Sequence, residues 1–119
     1  MDAGSVTSVL RLSEQRRISN ILVTHTHLDH IKDIPFLVAN LVAEGFHQPV
    51  NIISTGWVIE GIKFHLFNDA LWPDFTVLPT AESPVLKFTS IEPGVDFSVQ
   101  DFIIRAIPVN HTVPAVGYI

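Results

Sequence analysis

Residues 20–35 read NILVTHTHLDHIKDIP, and this stretch decides the fold and the chemistry that we expect. It opens with a β-rich run over 20–24 that is typical of a strand, and Pro35 fits the first turn of a helix. Between strand and helix lies the histidine loop, residues 24–30. This loop contains four potential metal ligands: His25, His27, Asp29 and His30.

The spacing of these residues suits two metal ions. His25 and His27 are separated by one residue, so a tight turn can direct both rings at one ion, as imidazole binds zinc at about 2.0–2.1 Å. Asp29 and His30 lie further along the turn and would face a second ion, since two-metal hydrolytic sites place their ions about 3.5–4 Å apart. The alternative without a metal-binding function is a solvated turn, but such a cluster is rare without a metal. The chain has no cysteine, so imidazole and carboxylate groups must hold any metal.

The H-x-H-x-D-H pattern of the histidine loop resembles the signature of the metallo-β-lactamase superfamily. Upstream, Asp2-Ala3-Gly4 resembles the D-x-G strand end of that superfamily, and downstream His111 resembles the histidine that completes the ligands of the first metal. Within the superfamily, residues 25–31 are most similar to the class II cyclic-nucleotide phosphodiesterases, whose motif begins H-x-H-L-D-H-I. Residues 67–75 also resemble the segment that follows that family's second helix, whereas Asp33 replaces a frequent Gly or Ser.

The resemblance implies an α/β (α+β) fold, the αββα sandwich, in which two similar halves each contribute a mixed sheet with flanking helices. Residues 1–119 would form the N-terminal half only, as a partial domain. The family's bridging aspartate and last metal-binding histidine would follow beyond Ile119. On this interpretation the chain is a fragment that is inactive by itself.

The resemblance also implies a metal-dependent hydrolase. The expected reaction is cleavage of 3′,5′-cyclic nucleotides, such as cyclic AMP, to 5′-monophosphates by water that two divalent ions activate, with zinc expected and manganese or iron as alternatives. Asp29 would be catalytic, and Asp2 would orient the loop without binding an ion. The expected metal ligands are His25, His27, Asp29, His30 and His111. Three alternatives stay open: a tRNA 3′-processing endoribonuclease, another esterase of this fold, and a non-catalytic metal-binding fragment or interaction module.

Composition restricts the partners. The chain is 47% hydrophobic and 16% charged, which is more apolar than a typical soluble domain and predicts a partner surface, most simply in a homo-oligomer. A net charge of −5 provides no broad positive field for nucleic acid. No apolar run reaches the roughly 18 residues of a membrane span, and no basic and apolar leader opens the chain, so we expect a cytoplasmic protein with a small nucleotide as substrate.

Periodicity predicts the elements of the fold. Helices are expected over 5–17, from an N-cap at Asp33 to a stop at Gly45, and over 56–67. Strands are expected over 20–24, 50–54, 75–78, 85–91, 102–109 and 115–119, so that the chain ends inside a strand.

Several aromatic and histidine residues have a purely structural interpretation as well as a functional one. His65 is expected on the surface, and His47 is expected as a charge partner of a helix end. Phe67 and Trp72 could stack a nucleobase, although large aromatics in an apolar segment are core residues by default. His111 could instead be a strand-end histidine bonded to backbone, and Asp2 only a turn residue.

Overall fold

Five helices and eight strands make up residues 1–46 and 48–119, the part of the chain that the computed structural model describes. In chain order they are α1 Val6–Val9, α2 Leu12–Gln15, β1 Asn20–Leu22, α3 Leu28–Ile31, α4 Asp33–Ala43, β2 Val50–Ser54, α5 Gly56–His65, β3 Pro79–Thr80, β4 Ser83–Pro84, β5 Leu86–Ser90, β6 Asp96–Val99, β7 Phe102–Val109 and β8 Ala115–Tyr118.

A parallel sheet in the order β1-β2-β5 forms the centre of the fold. Because side chains alternate along a strand, β1 and β2 each contribute to two cores. Ile21, Ile52 and Leu86 are buried in one core together with α4 and α5. Ile53 and Leu22 point to the opposite face and belong to the second core.

A second, antiparallel sheet in the order β6-β7-β8 covers that opposite face. Its buried residues Ala106 and Val116 pack in one cluster with Ile53. The Tyr118 hydroxyl donates to the carbonyl of Val23 at 2.8 Å, and the Val116 N–H donates to the carbonyl of Thr24 at 3.1 Å. The layers are therefore helices, parallel sheet and antiparallel sheet, which confirms the predicted α/β architecture.

The helix after the histidine loop begins earlier than predicted. Asp33 is not its N-cap, because Lys32 already has helical φ and ψ of −60° and −26° and joins α3 to α4. The N-cap is His27, with an extended ψ of 139°. Asp33 is instead buried, and its carboxylate accepts hydrogen bonds from the backbone and hydroxyl of Thr7, both at 2.8 Å. As a consequence, Asp29 and His30 lie in the first turn of a helix.

The predicted helix over 5–17 is divided into α1 and α2. Leu10 and Arg11 are extended, with ψ of 137° and 156°, and the side-chain amide of Gln15 donates to the Leu10 carbonyl at 2.9 Å. This side-chain hydrogen bond satisfies a carbonyl that a continuous helix would have used.

The predicted strand over 75–78 is wrong. The Thr76 N–H donates to the Asp74 carboxylate at 2.9 Å, and this local bond forms a turn in place of a ladder. Strand β6 was not predicted; it pairs with β7, and its Asp96 binds Arg105 through two hydrogen bonds of 2.6 and 2.9 Å.

The remaining predicted strands and the helix over 56–67 are confirmed, with ends that differ by at most two residues. The stop at Gly45 is confirmed by its φ of 71°. Among the described residues, no helix has the length and apolarity that crossing a membrane requires.

Tyr118 offers a test of the contact between the two sheets. Burial raises the pKa of its hydroxyl. Because the folded pKa exceeds the unfolded pKa, the neutral phenol contributes stability that is present below about pH 10 and is lost as the pH rises. Tyr118 is the only tyrosine, so an absorbance titration reports it alone. We expect ionisation at higher pH in native than in denatured protein, and Tyr118→Phe should cost about 1 kcal/mol of unfolding free energy. Coincident titrations of the two states would contradict the packing described.

Candidate metal centre

Three histidine nitrogens meet at the carboxyl end of β1. His25 Nε2 lies 3.2 Å from His27 Nδ1 and 3.1 Å from His111 Nε2, and the third pair, His27 Nδ1 and His111 Nε2, is 3.2 Å apart. His25 is buried, His27 is half-buried and His111 is exposed. Two residues of this triangle come from the histidine loop and the third from the connection between β7 and β8.

The three contacts cannot all be hydrogen bonds. A ring nitrogen that carries a proton has no lone pair left to accept with, so a triangle of nitrogens always leaves at least one contact without a shared proton. A cation at the centre removes the conflict, because every lone pair can then point at it. In a tetrahedral site with Zn–N bonds of about 2.0–2.1 Å, neighbouring nitrogens are about 3.3 Å apart. The observed triangle matches that spacing, so these residues fit a metal.

Asp2 and Thr24 determine which nitrogen of His25 is bare. The Asp2 carboxylate can only accept, so the Thr24 hydroxyl donates its proton to Asp2 at 2.8 Å. The same hydroxyl must then accept from His25 Nδ1, which lies 2.8 Å away. This leaves His25 Nε2 with its lone pair directed at the triangle. Asp2 also accepts from the Thr24 N–H at 2.7 Å.

His30 and Asp29 form a second group beside the first. His30 Nδ1 lies 2.8 Å from the Asp2 carboxylate and donates to it, so Nε2 of the neutral ring carries a lone pair. That Nε2 lies 3.4 Å from an Asp29 carboxylate oxygen. When the ring is neutral both atoms are acceptors, and a cation between them would satisfy both. The ring of His30 is 4.1 Å from that of His25 between centroids, so the two groups are adjacent.

Burial lowers the pKa of the His25 imidazole, and the nearby rings of His30, His111 and His27 lower it further, while Asp2 raises it. The net direction favours the neutral imidazole. A neutral ring is the form that binds a metal.

The segment from Asp2 to Gly4 is packed tightly on the histidine loop. The Ala3 N–H donates to the His30 carbonyl at 2.7 Å, and the Asp33 N–H donates to the Ala3 carbonyl at 3.0 Å. A Cβ on Gly4 would lie 1.6 Å from the carbonyl oxygen of Asp29, so only glycine fits there. The similarity of these residues to a D-x-G strand end therefore has a steric basis.

The structure thus brings together every residue predicted for the site: Asp2, His25, His27, Asp29, His30 and His111. Their roles as metal ligands stay predictions. Sequence reasoning missed Thr24, whose hydroxyl links Asp2 to His25; its position directly before the motif was the only signal. His65 is exposed as expected. Phe67 is buried in the core and Trp72 lines a cavity, while His47 lies outside the described residues.

The layered fold and the histidine cluster at its strand ends define a protein of the metallo-β-lactamase fold. YhfI of Bacillus subtilis, a metallo-beta-lactamase fold protein, superposes with a TM-score of 0.68 over 98% of this chain and 42% of its own, at 16% identity. The chain belongs to the class-II cAMP phosphodiesterase family, whose model matches residues 7–113.

Two relatives bear on the reaction. A 3′,5′-cyclic-nucleotide phosphodiesterase of Schizosaccharomyces pombe is 35% identical over 90% of this chain and 29% of its own length. A Ribonuclease Z of Bacillus licheniformis is 32% identical over 98% of this chain and 36% of its own length. The chain therefore spans about a third of the length of these relatives. The family and these relatives support a metallo-β-lactamase-fold hydrolase.

Asp2→Asn tests the orienting role of Asp2. The amide keeps the size of the side chain but replaces one acceptor oxygen with a donor, so Thr24, His30 or both lose their partner. We expect zinc affinity to fall by about 10- to 100-fold, the range typical of residues that orient metal ligands. Competition with a chromogenic chelator measures this affinity. Asp101→Asn, at an exposed turn, is the matched control, and equal affinities of the two variants would disprove the role.

Proposed function

We propose that this chain carries the first half of the active site of a phosphodiesterase that hydrolyses 3′,5′-cyclic nucleotides to 5′-monophosphates. The observation that supports this most directly is the triangle of histidine nitrogens with edges of 3.1–3.2 Å. Family membership and the S. pombe relative support the choice of substrate class.

In this proposal His25, His27 and His111 hold the first divalent ion, and Asp29 and His30 hold the second. Zinc is the ion that suits three imidazoles without thiolate. Such ions, when bound, supply positive charge that makes water a better nucleophile near neutral pH and offsets charge on phosphoryl oxygens. Asp2 fixes the protons of His25 and His30 so that their free nitrogens face the ions.

The difference in burial between His25 and Asp29 indicates the side from which substrate would approach. His25 is only 6% exposed, whereas the Asp29 side chain is 79% exposed. The first ion would therefore lie beside buried His25, with exposed His111 on its open side, and the second would lie beside the exposed carboxylate of Asp29. Substrate would reach Asp29 from solvent, and we propose that this carboxylate is the catalytic residue of the loop.

Residues 1–119 alone supply an incomplete second site. Asp29 and His30 are two ligands, and among the described residues only the group of His25, His27 and His111 brings three ligand atoms within 4.8 Å of one another. We propose that the 119-residue chain binds one ion firmly and does not turn over substrate by itself.

RNA is the second candidate substrate, because the B. licheniformis relative is a Ribonuclease Z. The net charge of −5 counts against it, since binding an RNA backbone needs clustered positive charge. Cyclic nucleotides, which are small and singly charged, do not need such a surface.

Metal content tests the first site. Wild-type chain prepared without chelators should bind one zinc or manganese ion per molecule, and His27→Ala should lose it because two imidazoles cannot hold the ion as firmly as three. Elemental analysis measures the content. His65→Ala removes an exposed histidine outside the cluster and should retain the metal. The ligand assignment fails if wild type and His27→Ala contain equal amounts of metal.

Substrate choice is tested with the full gene product that contains these residues. Hydrolysis of cyclic AMP or cyclic GMP to the 5′-monophosphate, abolished by Asp29→Ala, is the expected result. Cleavage of precursor tRNA with no action on cyclic nucleotides would favour the ribonuclease and leave the metal site intact.

Exposed apolar side chains on the outer face of β7 support a homo-oligomer. Ile103, Ile107 and Val109 lie on this face, with Arg105 between the first two, and are 75%, 40% and 49% exposed. Exposed large apolar side chains favour association. We expect the chain to sediment as a dimer or larger species at micromolar concentration, and Ile103→Ser with Ile107→Ser to shift it towards monomer. Val9→Ser, at a comparably exposed valine, is the control, and a wild-type monomer would overturn the proposal.

A further inference from the structure

A cavity of about 300 Å³ opens directly beside the histidine loop. Its lining includes Leu28, Lys32, Pro35, Phe36, Leu71 and Trp72. We infer that this cavity is the subsite for the nucleobase of the nucleotide, an inference that rests on the proposed function for the identity of the substrate.

The cavity and the candidate metal centre share the first turn of α3. Leu28 stands between His27 and Asp29 in the chain and also lines the cavity. Leu28, Lys32 and Phe36 follow one another at intervals of four residues along α3 and α4, so they share a helix face. At 1.5 Å per residue this row extends about 12 Å from the loop. A nucleotide with its phosphate at the histidines would reach along that row with its base.

The lining suits a flat aromatic ring. Phe36 and Trp72 form an edge-to-face pair with ring centroids 5.2 Å apart and planes at 67°. Leu28, Phe36 and Leu71 are large apolar side chains that are all exposed, and they meet at this one cavity. Neighbouring exposed apolar groups of this kind mark ligand sites.

The polar groups of the cavity favour a base over a sugar. The indole Nε1 of Trp72 is buried, so it is not a donor that a ligand in the cavity can reach. Lys32 is the single charged residue of the lining, and its ammonium group can donate to ring nitrogens or a carbonyl of a base. A ribose would need several donors and acceptors, which this lining lacks.

A rival cavity flanks the His111 segment and includes Trp57, Pro93 and Pro114. The two tryptophans of the chain therefore report on different cavities. Trp57→Phe leaves Trp72 as the only tryptophan, and Trp72→Phe leaves Trp57. Each single-tryptophan chain is titrated with adenosine, with cyclic AMP and with methyl riboside 3′,5′-cyclic phosphate, which carries the cyclic phosphate without a base.

We expect adenosine and cyclic AMP to change the fluorescence of Trp72 and not that of Trp57. In the Trp57→Phe background, Phe36→Ala should weaken adenosine binding about tenfold or more, in keeping with the loss of a base–aromatic contact. The matched control, Phe102→Ala, removes another exposed phenylalanine, 68% exposed against 51% for Phe36, far along the chain and should leave adenosine binding unchanged. Unfolding curves of both variants show whether they fold.

The outcomes separate the subsite from the proposed function. Response of Trp57 alone, or equal effects of Phe36→Ala and Phe102→Ala, would overturn the subsite. Failure of zinc-loaded chain to bind the methyl riboside cyclic phosphate, with adenosine still bound at Trp72, would count against the phosphodiester site and leave the base subsite standing. Absence of any response to adenosine at millimolar concentration overturns the subsite whatever the metal does.

Discussion

A carboxylate can accept hydrogen bonds but cannot donate one. Through Asp2 this restriction determines which ring nitrogens of His25 and His30 carry a proton. Asp2 accepts hydrogen bonds from the Thr24 hydroxyl and from His30 Nδ1, each of 2.8 Å. Thr24 must then accept from His25, so each ring in its neutral form turns a bare Nε2 away from Asp2. Without the carboxylate, either ring could adopt the other tautomer and present a proton where a cation should bind.

This arrangement depends on tertiary structure, because the groups come from distant parts of the chain. The segment after Asp2 is fixed by the backbone bonds of Ala3 to the turn at His30 and Asp33. On the other side, β8 is attached to the strand end through Val116 and Tyr118, which positions the connection that carries His111. A metal that binds only this assembled site stabilises the native state by mass action, so metal affinity and folding stability are linked.

The features that could be predicted from the sequence are local. Residue spacing and the alternation of apolar residues are enough to predict four ligands within one loop, the apolar strand before them and the long strands β2 and β7. Only the family resemblance indicated His111, since it lies 81 positions after His30 in the sequence. The start of α3 was missed because Asp33 and Pro35 imitate an N-cap and first turn. Strand β6 was missed because its four residues include polar Asp96 and Ser98 and depend on pairing with β7. The need for glycine at position 4 could not be predicted, because it depends on how closely the Asp29 carbonyl approaches in the folded chain.

The early start of the helix has a chemical consequence, because successive helical residues are turned by about 100°. Leu28, Asp29 and His30 therefore point in three directions from a single turn. His30 turns towards Asp2, Asp29 remains open to solvent, and Leu28 opens the apolar row that continues to Phe36. An extended loop would alternate these side chains between two faces and would mix ligands with apolar groups. One helical turn thus separates the candidate metal ligands Asp29 and His30 from the apolar row that begins at Leu28.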